Sequence, residues 1–210
     1  PEDKWRVVPV PAEKIVRLPA ATPADWMSPD FDDSEWSRSR GPVMGNFFST
    51  DDKWKLILMR GAFEVKDTAA AGDMKLSMAF RGGAVVYLNG KEVVRFHMPK
   101  GSITLATSAE PYPASADYGA DGFVLPWERQ TTRGYKARQP QEVKDRVASR
   151  TRRVSGVRIP AERLLKGVNV LAVAIHRAPT PAVRHVTRHK GGNSVSEGKW
   201  WTRMGLNSIR

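Results

Sequence analysis

The 210-residue chain contains no cysteine, so it forms no disulfide and offers no thiolate to a metal. No apolar run approaches the roughly 18 residues that a membrane-spanning helix needs. The longest, Val168 to Ile175, is strand-sized, and no membrane partner is expected. Internal repeats are missing and helical periodicity is scarce. No G-x-S-x-G elbow, P-loop or glycine-rich dinucleotide fingerprint occurs. Helix-turn-helix, RNA-recognition and zinc-finger patterns are likewise missing, so nucleic acid is not expected as a partner despite the basic charge. After Pro1 there is neither a basic n-region nor an apolar h-region of a signal peptide. The final Leu206 to Arg210 reads as an interrupted strand. The expectation is therefore a segment cut from a longer protein, with residues 1–210 forming one domain.

What the chain does hold is material for turns and strands. Seventeen glycines and fifteen prolines suit a fold with many turns, and 40% hydrophobic residues suffice for a core. The strongest local signal is Arg81 to Arg95, RGGAVVYLNGKEVVR. Asn89-Gly90 tolerates the positive φ values of a two-residue type I′ turn, whose twist matches that of the flanking strands. The first arm, Ala84 to Leu88, is apolar throughout, as expected of a strand covered on both faces. The second, Lys91 to Arg95, carries charge and belongs near an edge.

Around this hairpin lie further strand candidates. Trp5 to Val10 and Lys14 to Leu18 read as short strands broken by Pro9 and Pro11. Trp26 to Trp36 is dense in Asp and Ser and predicts a turn beneath which Trp26, Phe31 and Trp36 cluster. Gly41 to Asp52 reads as loop, and Trp54 to Val65 as strand with an irregularity at Gly61. Met74, Leu76, Met78 and Phe80 share one strand face. Residues 111–153 form a long excursion, with Glu142 to Arg153 as a short charged helix and order returning at Val157. In Val168 to His176, small alanines (Ala172, Ala174) alternate with Leu171, Val173 and Ile175, which predicts packing between two layers. Trp200 begins a last strand. Many short strands separated by turn signals indicate an all-β, antiparallel β-sandwich with little helix.

Several phrases taken together resemble a known family. They are Phe31-Asp32-Asp33-Ser34-Glu35-Trp36, Arg60 to Val65, Gly83 to Arg95, His97 to Gly101, Ile159-Pro160 and Leu165 to His176. In this order and spacing they are similar to the galactose-binding-like jelly rolls that accompany bacterial glycoside hydrolases and large exported proteins. The resemblance spans roughly residues 26 to 206. It implies a jelly-roll sandwich and an extracellular or periplasmic location. It further implies a non-catalytic carbohydrate-binding module, with a glycan and the neighbouring domains of the same chain as partners. Where such domains often carry Asp-Asp-Gly, this chain has Arg81-Gly82-Gly83, so no contact resting on those carboxylates is expected. Two alternatives stay open: a structural interdomain module without a soluble ligand, and a glycoside hydrolase whose paired carboxylates leave no spacing signature.

The candidate chemistry concentrates in the excursion. From Arg129 to Arg163 eleven Lys/Arg face three acids, a local excess of +8 within the overall +12. Exposed aromatic faces stack on the C–H faces of sugar rings, and charged side chains fix hydroxyls and acids. Tyr112, Tyr118, Trp127, Arg129, Tyr135 and Arg138 are the candidate ligand-binding residues, with a preference for acidic glycans. The alternative is that these rings only pin the excursion to the sandwich. No catalytic residue and no cofactor is expected. Asp30, Asp32 and Asp33 are calcium candidates, with a capped turn as the other reading and Asp51-Asp52 as further ligands if the fold brings them near. His185 and His189 have helical zinc spacing but lack a metalloprotease Glu. His176 ends a strand and is expected to hydrogen-bond a neighbouring loop.

Overall fold

A computed structural model describes residues 5–11, 24–39, 43–44, 54–116, 141–179 and 204–210. The strands are β1 (Trp5–Pro11), β2 (Ser37–Ser39), β3 (Val43–Met44), β4 (Trp54–Val65), β5 (Met74–Arg81), β6 (Gly83–Leu88), β7 (Lys91–Phe96), β8 (Arg152–Ile159), β9 (Gly167–His176) and β10 (Gly205–Ile209). Two short helices accompany them, α1 (Thr68–Ala71) and α2 (Gln141–Ala148). The strands form a six-stranded sheet, β2-β1-β4-β9-β6-β7, and a four-stranded sheet, β3-β10-β5-β8. Every pairing is antiparallel. The protein is an all-β sandwich.

The hairpin expected at Asn89-Gly90 joins β6 to β7, and both turn residues have positive φ, 51° and 80°. Asn89 does more than turn the chain. Its amide oxygen accepts from Val170 N (2.9 Å), and its Nδ2 donates to Asn169 Oδ1 (2.9 Å) and Arg163 O (3.2 Å). Asn169, fully buried, holds the turn before β9 through Leu165 N, Leu165 O and Gly167 O. These bonds satisfy buried amides that would otherwise each cost about 1–3 kcal/mol. The two asparagines thus latch the hairpin to the central strand β9.

The alternation read in β9 sorts its side chains into two cores. Val173 and Ile175 join Ile57, Met59, Leu76, Met78, Phe80, Val86 and Leu206 between the sheets. Ala172 and Ala174 face the other way, with Leu56, Leu58 and Val85, under Trp26, Met98, Ala109, Tyr112 and Ala116. The central strands β4, β9 and β6 are therefore buried on both faces over much of their length, and β6 is apolar throughout for that reason. Close approach on the covered side requires Gly83, where a Cβ would stand 2.7 Å from His97 O and 2.8 Å from the Ala109 Cβ.

Several sequence expectations are corrected. β1 runs through Pro9 and ends at Pro11 with a register shift, rather than breaking at both prolines. β4 and β9 stay in register through Gly61, which pairs with Leu171, because ladder hydrogen bonds need no side chain. Within the stretch read as loop, Val43–Met44 pairs with β10. The charged helix stops at Ala148, and β8 begins at Arg152, five residues before Val157. Arg150 and Arg152, which contribute to the +8 excess, are buried and belong to the sandwich. The last described strand starts at Gly205. Lys14 to Leu18 and Trp200-Trp201 lie outside the described residues.

Candidate functional site

The excursion leaves and rejoins the sandwich at one place, and that junction is built from side chains that the sequence marks as binding or solvated. Tyr112 stands at its start. Its hydroxyl accepts from Gly82 N (2.8 Å) and donates to Arg150 O (2.8 Å). Arg150 and Arg152 stand at its end. Arg150 Nε donates to Ala116 O at 2.8 Å. Arg152 donates to Gly82 O (2.8 Å), Glu110 O (3.0 Å) and Pro111 O (3.1 Å). Its guanidinium lies over the Tyr112 ring, 4.1 Å from the centroid, in cation–π geometry. Burial pulls the Arg152 pKa below its ordinary value. The five donors of a planar guanidinium suit this cluster of carbonyls, which a lysine could not span.

On the rim of the junction sit His97 and Glu110, with Nδ1 3.4 Å from Oε2. His97 has φ 52°, a left-handed conformation uncommon outside glycine. Its carbonyl accepts from Glu110 N at 2.8 Å, which fixes the turn after β7. Burial and the Arg152 charge push the imidazole below its usual pKa, against the opposing pull of Glu110. Below the rim, His176 is buried and its Nδ1 lies 2.8 Å from Thr107 O. A carbonyl only accepts, so the proton resides on Nδ1. Burial lowers this pKa to about 4. The expected loop contact of His176 is thus present.

Among the candidate ligand-binding residues, Tyr112 is 8% exposed and its hydroxyl is engaged by Gly82 N and Arg150 O, which pins the start of the excursion. Tyr118, Trp127, Arg129, Tyr135 and Arg138 lie outside the described residues, as do Asp51, Asp52, His185 and His189.

The acidic turn has a structural task. Asp32 Oδ1 accepts from Ser34 N (2.9 Å), and Asp33 Oδ2 accepts from Arg60 Nε (3.0 Å). Among the described residues, no group of three or more His, Asp or Glu stands close enough to hold a metal ion. Arg60 also donates to the carbonyls of Trp26, Ser28 and Phe31 and lies over the Phe31 ring. Trp26, Phe31 and Trp36 pack together as expected, with Trp26 edge-on to Tyr87. Sequence reasoning missed Arg60 and the Arg150/Arg152 clamp. The available signal was a lone charge inside the apolar run Leu56 to Phe63, and arginines alternating with Thr151 at the head of a strand.

No family model and no curated protein matches the chain. Among solved structures it is similar to a calcium-binding mutant of Bacteroides uniformis β-glucuronidase 2, with TM-score 0.45 and 15% identity over 85% of this chain and 14% of that one. A Bacteroides uniformis β-glucuronidase gives TM-score 0.47 and 13% identity over 99% of this chain and 16% of that one. The Bifidobacterium dentium β-glucuronidase complexed with coumarin-3-O-glucuronide gives TM-score 0.41 and 13% identity over 99% of this chain and 26% of that one. The chain spans at most about a quarter of the length of these enzymes.

Proposed function

We propose that this chain is a non-catalytic β-sandwich module of a larger exported carbohydrate-active protein. In this reading residues 1–210 act as one domain that binds an acidic glycan through the 111–153 excursion. Trp127, Tyr118 and Tyr135 supply stacking faces, and Arg129 and Arg138 supply charge. The observation that carries the reading is the clamp of Tyr112, Arg150 and Arg152. It ties the described ends of the excursion, Tyr112 and Ala116 on one side and Arg150 and Arg152 on the other, to each other and to the β5–β6 turn. Buried hydrogen-bonded arginines at a loop base give a rigid support for a binding loop.

The test is binding of the full chain to neutral, sulfated and uronic-acid polysaccharides at several salt concentrations. Trp127→Ala weakens binding at every ionic strength. Arg138→Glu weakens it mainly at low salt, because exposed charges are screened over roughly 8 Å at physiological ionic strength. The isolated chain hydrolyses no glycoside. Absence of binding to every polysaccharide at low salt refutes the reading.

A second reading, a structural module that packs against a neighbouring domain, is favoured by one observation. Leu165 and Val168 are large apolar residues, 50% and 60% exposed, set three positions apart at the start of β9.

A further inference from the structure

The outward face of the four-stranded sheet is polar, cationic and open. Strand register defines its members. Lys75 pairs with Arg158 and Ala79 with Arg153, while Leu76, Met78 and Phe80 between them point into the core. Ser77 therefore faces outward, and its hydroxyl lies 3.5 Å from that of Ser155 on β8 and accepts from Gly156 N at 3.0 Å. On the other side, Ser77 and Arg210 exchange backbone hydrogen bonds of 2.8 and 2.9 Å, which sets Arg210 beside Ser77 on the same face. Ser208 pairs with Ala79 and faces outward too. Lys75, Arg153, Ser155, Arg158, Ser208 and Arg210 are all exposed.

The result is a floor of Ser77, Ser155, Ala79 and Ser208 with four cations around it. At its border Asp73 is bonded to Arg158 Nε and to Ala161 N (3.1 Å), and Glu162 also acts on Arg158. Arg158 holds the Asp73 carboxyl below the usual carboxylate range, so the pair stays ionised at neutral pH. The cations Lys75, Arg153, Arg158 and Arg210 outnumber the acids Asp73 and Glu162 on this face. Among the described residues neither Lys75 nor Arg153 has an ion-pair partner. Lys75 and Arg153 stand four strand positions apart, about 13 Å at the rise of an extended strand.

We infer that this face is a second binding surface, which takes an extended anionic glycan chain. The inference rests on the reading of the chain as an acidic-glycan module but assigns contact to a surface outside the excursion. Three features select the occupant. Arginine forks pair with carboxylate or sulfate in two parallel hydrogen bonds. Serine hydroxyls donate and accept, which suits ring hydroxyls. Cations spaced about 13 Å apart suit a chain bearing repeated anions better than one small ion. A protein partner fits less well, since interface cores are rich in aromatic residues and Met and poor in Lys, Ser and Ala. The bulge of β8 opposite Ser77 also disfavours pairing by an incoming strand.

The experiment measures affinity of the full chain for heparin and polygalacturonate, with poly-glutamate as a polypeptide control. The variants are Lys75→Glu/Arg153→Glu and Trp127→Ala, with unchanged melting temperature required of the first. The double reversal raises Kd about tenfold or more near 50 mM salt and only about twofold near 500 mM, where screening is short-ranged. Ser155→Tyr, which covers the floor without changing charge, weakens the glycans at both salts and leaves poly-glutamate untouched. If the double reversal leaves glycan binding intact while Trp127→Ala removes it, this inference fails and the excursion reading stands. If the reversal removes binding and Trp127→Ala does not, the inference holds and the excursion reading fails. Equal affinity for poly-glutamate overturns the glycan assignment. Absence of glycan binding by the unaltered chain overturns both.

Discussion

On the outward side of the six-stranded sheet, Leu56, Leu58, Val85, Ala172 and Ala174 lie beneath Trp26 and the segment from His97 to Ala116. On the outward side of the four-stranded sheet, Lys75, Ser155 and Arg153 meet solvent over a floor of Ser77 and Ala79. Both are sheet faces with small residues at their centres, yet among the described residues one is roofed and the other is not. The roof explains the difference. It is fastened by buried arginines, Arg60 beneath the Trp26 turn and Arg152 at the end of the loop segment, each donating to several main-chain carbonyls. A covering segment without regular strands must have its carbonyls satisfied, and a guanidinium does this for three at once. Among the described residues no comparable staple reaches over Ser77. Charge inside this protein is thus a structural fastener on one side and an exposed surface on the other.

The contrast is broken most directly by placing the same charge on each face. Ala174→Lys buries an unpaired ammonium in the covered layer and costs more than about 4 kcal/mol, enough to unfold a marginally stable domain. Ser155→Lys on the open face changes stability by less than about 0.5 kcal/mol. Denaturant midpoints of the two variants measure both. Next in size is Arg60→Ala, which strands Asp33 and the carbonyls of Trp26, Ser28 and Phe31 and costs about 3–5 kcal/mol. Loss of near-UV circular dichroism from the Trp26–Trp36 pair should accompany it.

Acid sharpens the comparison further. His176, under the roof, has its pKa lowered to about 4 from an ordinary 6.5, so the folded protein binds fewer protons than the unfolded chain between those values. Its contribution is complete above pH 6.5 and falls as the pH drops toward 4, by about 3 kcal/mol at 1.36 kcal/mol per unit. In His176→Asn, whose Nδ2 takes the place of the ring Nδ1 toward Thr107 O, that part of the pH dependence disappears. Urea denaturation across this pH range checks the slope. Gly90→Val costs less than the buried changes, about 1–3 kcal/mol, because a β-branched residue is forced to positive φ.

Much of this architecture is legible in the sequence, and the reasons are specific. Asn89-Gly90 announces the hairpin because few other pairs tolerate two positive φ values. The alternation of alanine with larger residues in β9 signals two packed layers, and both are present. The acidic turn at Phe31 to Trp36 is readable from its own side-chain oxygens. The functional reading of the basic stretch was only partly legible, because charge counting assigns every arginine to the surface. Arg150 and Arg152 are buried by contacts with Ala116, Gly82 and Glu110, tens of positions away in sequence, and no local pattern encodes such partners. The hydroxyl partners of Tyr112, Gly82 N and Arg150 O, are likewise distant in sequence and announced by no local pattern. The outward cationic face escapes notice because its members come from distant stretches of sequence, Lys75 on β5, Arg153 and Arg158 on β8, and Arg210 just after β10.

Because the chain has no cysteine, a single introduced thiol reports its own position without competition. Reaction of Ser155→Cys and of Ala174→Cys with a thiol reagent under native conditions tests the difference between the two faces most directly. The Ser155→Cys thiol reacts at the rate of the unfolded chain. The Ala174→Cys thiol reacts at least about a thousandfold more slowly, since labelling waits for an opening that costs about 4 kcal/mol or more. Equal rapid labelling at both positions would show that Trp26 and the His97 to Ala116 segment do not roof the six-stranded sheet. Slow labelling at Ser155→Cys would show that the four-stranded sheet is covered as well, and the account of two unlike faces would be wrong.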